Sequence, residues 1–386
     1  MAKGLVSDTN LTAIANAIRS KNGSSDRYTP STMAQAISDI PTSQVDQTTA
    51  LQYMLNNKTD YTGIAAGLTT LTELPTFTQP AGVTNFDGAF SGCSSITASG
   101  IAGMNMSSGT NFSNTFRDCT SLTSLPNGLD LALAKSSDGT FYGCTGLTGE
   151  LTFGKGSSSL TSRANMFYGC SGITTVTFAS GAYGFGNMDN MFDGCTNLRE
   201  LSLTSPSYYT YDSNGSRAYT FRGCTNLTTV PAAVFNSSVR SYYGTFYGCT
   251  ALTSLSNVNL SGAVNVSYMF YRCTALTSVT LSPGGRSKIC GDFGRMFSGC
   301  TNLTTVNTSV FNFSNKSSNM ALQKMFESCP SLDNATLNGL LGALSTFTGT
   351  TNKNLKYIGL SSTQATTCTT LSNWAALSAA GWTTGY

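Results

Sequence analysis

Along most of this chain the apolar positions fall in one order. A phenylalanine is followed three residues later by a cysteine, and three later again by leucine or isoleucine. In "MFDGCTNLRELSL" the order runs Phe192, Cys195, Leu198, Leu201 and Leu203, and in "MFSGCTNLTTV" it runs Phe297, Cys300 and Leu303. Aligned on the cysteine, the phrase occurs ten times, centred on Cys93, Cys119, Cys144, Cys170, Cys195, Cys224, Cys249, Cys273, Cys300 and Cys329, at steps of 24 to 29 residues. Self-similarity at that period predicts a solenoid with one coil per repeat. Leu198, Leu201 and Leu203 keep an L-x-x-L-x-L spacing whose last pair alternates as a short strand does, with Glu200 and Ser202 turned outward. Phe192 and Cys195 precede it by one short turn and are expected to point inward. With coils about 4.8 Å apart, each residue type stacks on its own kind, giving columns of Phe, Cys and Leu. One repeat cannot bury its apolar face alone, but ten stacked repeats make a continuous core.

The two ends follow other patterns. Leu11, Ile14 and Ile18 fall on one helical face, and "GSSDRYTP" breaks that helix. Thr29 caps a second helix with Pro30 in its first turn and Met33, Ile37 and Ile40 on its apolar face, ending at Pro41. Two such short helices bury little between themselves, so this hairpin is expected to dock on something else. Gln44 to Asn57 reads as a third helix with Val45, Leu51, Met54 and Leu55 apolar, a pattern that also suits a short trimeric coiled coil. After the last repeat, "LNGLLGALSTF" reads as a helix, "LKYIGLS" as a strand, and Trp374 and Trp382 suit a cap over the exposed end of the core. The expected domains are therefore 1–42, a helical attachment segment; 43–84, a helical linker and cap; 85–337, the solenoid; and 338–386, the closing cap.

Composition narrows the chemistry. Only 10% of the 386 residues are charged, the net charge is +3, and no Lys/Arg run is present, which argues against nucleic acid as a partner. Histidine is absent, which removes Ser–His and Cys–His pairs and all His-based metal sites. The cysteine steps are too long for closely spaced metal-ligand pairs, and parallel thiols at the coil spacing stand too far apart for disulfides. They read as free thiols packed as small hydrophobes. No cofactor is expected. No apolar stretch approaches the roughly 20 residues that cross a bilayer, so membrane insertion is not expected. "MAKGLVSDTNLTAIANAIRS" lacks the apolar core of a signal peptide.

"NVSYMFYRCTALTSVTLS" (Asn265 to Ser282) and "NMDNMFDGCTNLRELSL" resemble the BspA-like leucine-rich repeat family of bacterial surface proteins, over roughly Asn85 to Leu337. The resemblance implies a β-solenoid used for adhesion, with protein or glycan contact in place of catalysis. The fold class expected is mostly β with short helical turns: a right-handed solenoid of leucine-rich-repeat type with about ten repeats, a small helical segment before it and a cap after it. "LTAIANAIRSKNGSSDRYTPSTMAQAISDI" resembles a leader found on phage tail and fibre proteins. That implies synthesis in a host cytoplasm, attachment to other virion proteins through Leu11, Ile14, Ile18, Met33, Ile37 and Ile40, and display on the virion surface.

Candidate chemistry is confined to the surface. Carboxylates are scattered among different coils, and "GAYGFG" and "GGRSK" lack the order of nucleotide loops. The outward strand positions (Thr175, Thr177, Ser254, Ser256, Ser278, Thr280, Thr305 and Asn307) make a hydroxyl-rich face suited to solubility. The variable segments between coils carry the tyrosines. "SPSYYTYDSNGSRAYT" holds Tyr208, Tyr209, Tyr211 and Tyr219 beside Asp212, Asn214 and Arg217. "RSYYGTFYG" adds Tyr242, Tyr243 and Tyr247, and "GAYGFG" adds Tyr183 and Phe185. Such rings can stack on a sugar while the polar groups bond its hydroxyls. The reading from sequence is a non-enzymatic phage tail-fibre or tail-tip adhesin that binds a host surface glycan or protein. A head fibre or decoration protein and a bacterial surface adhesin are the alternatives. A homo-oligomer is expected, a trimer by analogy with other fibres.

Overall fold

The computed structural model describes residues 47–386, apart from 155–156, 158, 179–185, 204–214, 284–291, 314–321 and 350–351. The expected helices over 1–42 lie outside the described residues.

Each coil has two sides. On the first, the residues up to the cysteine form a ribbon of tight turns in which alternate amides do different work. In the coil of Cys195, Met188 N, Asn190 N, Phe192 N and Gly194 N donate to Ser216, Ala218, Thr220 and Arg222 O of the next coil, at 2.8–3.0 Å. The amides of Met191, Asp193 and Cys195 instead donate three residues back, to Met188, Asn190 and Phe192 O. A ribbon of this kind needs left-handed residues at regular places. Asn190 (φ 55°) and Gly194 (φ 76°) supply them, five and one residues before the cysteine.

On the second side lie short parallel strands. β1 (Gly149–Phe153), β2 (Ile173–Phe178) and β3 (Glu200–Leu203) form one sheet in that order. β6 (Ser254–Asn259), β7 (Ser278–Ser282) and β8 (Thr305–Val306) form another such sheet, while β4 (Gly215–Ser216) pairs with β5 (Val239–Ser241) at the start of the turn ribbon of their coils. Leu151, Val176 and Leu201 share one register position, so the leucine column expected from the spacing is present. Glu200 faces solvent and Leu201 is buried, as the alternation requires.

Phe192, Cys195, Leu198, Leu201, Phe297, Cys300 and Leu303 are all buried. Successive phenylalanines from Phe90 to Phe326 stack with centroids 5.3–5.6 Å apart and nearly parallel rings. The ten column cysteines and Cys368 are free thiols, and Cys290 lies outside the described residues. Reading the thiols as mere small hydrophobes needs correction. Each Sγ donates to the carbonyl at the phenylalanine position of the preceding coil, at 2.8–3.1 Å. Burial raises the thiol pKa throughout the column, to about 12 at Cys93.

The ladder is longer than the phenylalanine–cysteine phrase. It begins at Tyr61, in a coil with Ala65 and Leu68 at the Phe and Cys places, where Tyr61 N donates to Asn85 O at 3.0 Å. Before it, α1 (Gln47–Asn57) buries Leu51, Met54 and Leu55. The apolar face offered for a coiled coil is therefore spent inside the chain. At the other end α2 (Asn334–Leu344), capped by the Asp333 carboxylate, covers the core. "LKYIGLS" is not a strand. It forms α3 (Leu355–Ile358), a short turn whose Tyr357 and Ile358 carbonyls accept from Lys324 N and Phe326 N, and it ends on Gly359 (φ 96°). α4 (Ser362–Cys368) and α5 (Trp374–Ala379) follow, and Trp382 is buried while Trp374 packs at the edge of the core. No described helix is long and apolar enough to cross a membrane.

Candidate functional site

The residue two places before each cysteine stands at the rim of the turn ribbon, half-buried in most coils and buried at Asp193 and Ser298, with its equivalents directly above and below. Over seven consecutive coils these are Arg117, Tyr142, Tyr168, Asp193, Arg222, Tyr247 and Tyr271. The Arg117 guanidinium lies 3.9 Å over the ring of Tyr142, which stacks on Tyr168 at 4.6 Å. Asp193, almost fully buried, binds Arg222 through contacts of 2.5 and 2.9 Å. Burial raises the Asp193 carboxyl pKa even so, and its hydrogen bond in turn raises that of Arg222. Tyr247 stacks on Tyr271 at 4.7 Å.

A second column flanks the first in three of these coils. Tyr219 and Tyr243 meet edge to face at 5.1 Å, and the rings of Tyr243 and Tyr268, and of Tyr268 and Tyr271, lie tilted at 5.5 Å. Arg222 sits 4.5 Å over Tyr219, and Arg272 sits 5.3 Å from Tyr271. A hydrogen bond with Tyr219, and then burial, raises the Tyr243 phenol. Five tyrosines and two arginines thus form one continuous surface. Tyr142 is covered by Arg117 on one face and Tyr168 on the other, so that part of the stripe offers ring edges. The rings of Tyr219, Tyr243 and Tyr268 are tilted against one another and half-buried.

Tyr219 (φ 54°) and Tyr268 (φ 58°), like Arg295 (φ 54°) and Lys324 (φ 56°), occupy the left-handed place that Asn114, Asn165, Asn190, Gly88, Gly139 and Gly244 fill elsewhere. A bulky side chain there costs about 1–2 kcal/mol of backbone strain. Gly244 makes room for Tyr219, whose ring would lie 2.5 Å from any Cβ added at that glycine. Strained residues of this kind concentrate where structure serves binding.

Of the residues chosen from sequence, Tyr219, Tyr243 and Tyr247 lie in this cluster. Tyr183, Phe185, Tyr208, Tyr209, Tyr211, Asp212 and Asn214 lie outside the described residues, although the 204–214 segment joins the cluster's first coil through β4. Arg217 and Tyr242 are corrections: they are 1% and 0% exposed, because they occupy the inward column of the turn ribbon two residues before Tyr219 and one before Tyr243. Arg217 Nη1 donates to the carbonyls of Gly186 and Ser216, and burial holds the Tyr242 phenol up at about 12. Sequence reading missed Arg222, Tyr268, Tyr271 and Arg272. The signal was a fixed offset from the cysteine, which aligns Tyr268 with Tyr219, and Arg222 and Tyr271 with Tyr247; Arg272, one place before Cys273, had no such signal. On the outer face, Thr120, Thr225, Thr250, Thr277 and Thr304 direct their hydroxyls to backbone carbonyls of the preceding coil. Their role there is structural.

The family model described as a BspA type leucine rich repeat region matches residues 112–214 and 216–317 in six copies. No curated protein matches the sequence. Among solved structures, a leucine-rich cell surface protein from Faecalibacterium prausnitzii A2-165 is 18% identical, with 55% of this chain and 77% of that chain covered, at a TM-score of 0.20. A leucine-rich repeat protein from Eubacterium ventriosum ATCC 27560 is 14% identical, covering 72% of this chain and 86% of that one, at a TM-score of 0.30. Likeness of this degree carries no functional conclusion.

Proposed function

Since the chain belongs to the BspA-type leucine-rich repeat family, we propose that it is a surface-displayed adhesin that holds a host-cell glycan or polypeptide along the tyrosine–arginine stripe. The observation that carries the reading is the placing of Tyr219 and Tyr268 at left-handed positions, beside Tyr243, Tyr247 and Tyr271. The other coils hold Asn, Gly or the charged Arg295 and Lys324 at that place, so these two coils alone set an aromatic ring there. Half-exposed rings with phenol tips suit sugar stacking, and the guanidinium groups of Arg222 and Arg272 suit hydroxyl or carboxylate partners. The leader resemblance favours a phage particle as the bearer, with residues 1–42 attached to other virion proteins at the tail tip or fibre. Several copies per particle would turn weak single contacts into avid ones.

Purified protein is assayed on a glycan array and on intact bacterial cells. Tyr243→Ala with Tyr271→Ala is expected to weaken binding at least about tenfold while circular dichroism stays unchanged. Undiminished binding by that variant would remove the stripe as the site. Antibody labelling of particles tests the bearer, and unlabelled particles would return the chain to a cell surface.

A further inference from the structure

Charge along the rim of the turn ribbon is sorted by coil. The rim is made by the residues six, five, two and one places before each cysteine. In the coils of Cys93 to Cys195 these hold Asp87, Asp118, Asp138, Asp189 and Asp193 against Arg117 alone. In the coils of Cys224 to Cys329 they hold Arg222, Arg272, Arg295 and Lys324 against Glu327 alone. Asp292, at the ribbon's start in the coil of Cys300, adds one carboxylate to the second half, while Arg163 and Arg217, one in each half, are buried. An excess of four negative charges thus gives way to an excess of two positive charges, and the change falls at the Asp193–Arg222 pair.

The tyrosine cluster lies wholly in the positive half. Arg272 is exposed beside it, and among the described residues no carboxylate pairs with it. Its stem lies across Gly299 of the next coil, 3.1 Å from where a Cβ of that residue would stand. One carboxylate, Glu327, serves both Lys324 and Arg295, at 2.7 and 3.3 Å, so that trio keeps a positive charge. Backbone donors are spent. The amides of Tyr219, Gly244, Tyr268 and Arg272 donate to the next coil, and those of Arg222, Tyr247 and Tyr271 donate three residues back. An extended peptide therefore finds no strand edge here to pair with, whereas side-chain rings and cations remain on offer.

Resting on the reading of the stripe as a binding site, we infer that its ligand is a linear polysaccharide bearing carboxylates, laid along the stack axis over the coils of Cys224 to Cys329. Its sugar rings lie against Tyr243, Tyr268 and Tyr271, and its carboxylates meet Arg272, Arg295 and Lys324. Five coils at about 4.8 Å per step span roughly 19 Å, which takes several sugar rings in a row. The acidic half of the rim repels the same polymer and confines it to the tyrosines.

The full chain is titrated with polygalacturonate, alginate and hyaluronate, each beside its methyl ester, which keeps the rings and removes the charge, and with polyglutamate as an acidic polypeptide. An acid form should bind at least about tenfold more tightly than its ester, and the advantage should shrink as salt rises. Arg272→Gln should cut the gap between acid and ester about tenfold. Arg199→Gln, which takes the same charge from the strand side, should leave it unchanged. Equal binding of acid and ester, tighter binding of polyglutamate, binding of none of the three acids, or equal effects of the two substitutions would each overturn the inference. A neutral glycan bound tightly, and lost with Tyr243→Ala and Tyr271→Ala, would overturn the acidic ligand alone and keep the stripe. Acidic polymers bound equally well by that double variant would remove the stripe itself.

Discussion

A valine would fill the place of Cys195 about as well as a thiol does, yet ten coils hold cysteine there. The difference is one hydrogen bond. The carbonyl of Phe167 already accepts Cys170 N and has a second lone pair facing the Cys195 thiol, which donates at 3.0 Å. Thr115, Thr140, Thr220 and Thr245 do the same one turn earlier, each donating to a buried carbonyl of the preceding coil at 2.9 Å. A buried polar group left without its partner costs about 1–3 kcal/mol. Cys195→Ser, which keeps a donor, should therefore lower the urea midpoint less than Cys195→Val, which loses it; the gap should correspond to about 1–2 kcal/mol. A valine variant as stable as the serine one would show that the rung adds nothing. The cysteine column and its burial were legible from spacing alone. The thiol's donor role was not, because the accepting carbonyl lies 28 residues earlier in the chain. A one-dimensional pattern does not show which backbone group lies beneath a side chain.

Within a coil, strand and turn ribbon differ in how openly the sequence declares them. The alternation in "LRELSL" announces β3, and "LNGLLGAL" announces α2. The turn ribbon has no period of 2 or 3.6, so it shows only through its left-handed residues. That is why the first coil, which lacks both Phe and Cys, reads as linker, and why "LKYIGLS" reads as a strand although its backbone forms α3. The same device hides the binding stripe. Tyr268 reads as one more polar residue of "NVSYMFYRC" until its φ of 58° places it where most other coils carry Asn or Gly. Relieving that strain separates stability from binding. Tyr268→Asn should leave the thermal midpoint unchanged or raise it by the equivalent of up to about 1 kcal/mol, once the missing ring packing against Tyr243 and Tyr271 is set against the strain relieved. The same variant should bind host cells or glycan more weakly. A variant that is less stable and binds normally would make Tyr268 a packing residue.

Across the whole molecule the cysteines act together, because stacking places all ten in one buried column. Burial is the first cause of every shift, and neighbouring thiols add to it at Cys119, Cys144, Cys170 and Cys224 by disfavouring a second negative charge alongside. The folded thiols all hold their protons above the ordinary value of 9.0, that of Cys93 to about 12. The sign of the consequence follows from proton counting. Below about pH 9 both folded and unfolded thiols are protonated, and the column adds no pH dependence. Above it the unfolded chain releases protons that the folded one keeps, so stability falls as pH rises, by about 1.4 kcal/mol per pH unit for each thiol engaged. Domains are stable by only about 5–15 kcal/mol, so a few thiols suffice to unfold the stack within one or two pH units. Circular dichroism and thiolate absorbance followed together from about pH 7 upward should show both changing in one steep step. Replacing Cys195 and Cys224 by serine removes two of the titrating groups and should make the step shallower. Thiolates appearing near the ordinary pKa while the circular dichroism holds would mean that the column is open to water, and with it the account of the core as ten sealed, hydrogen-bonded rungs would fall.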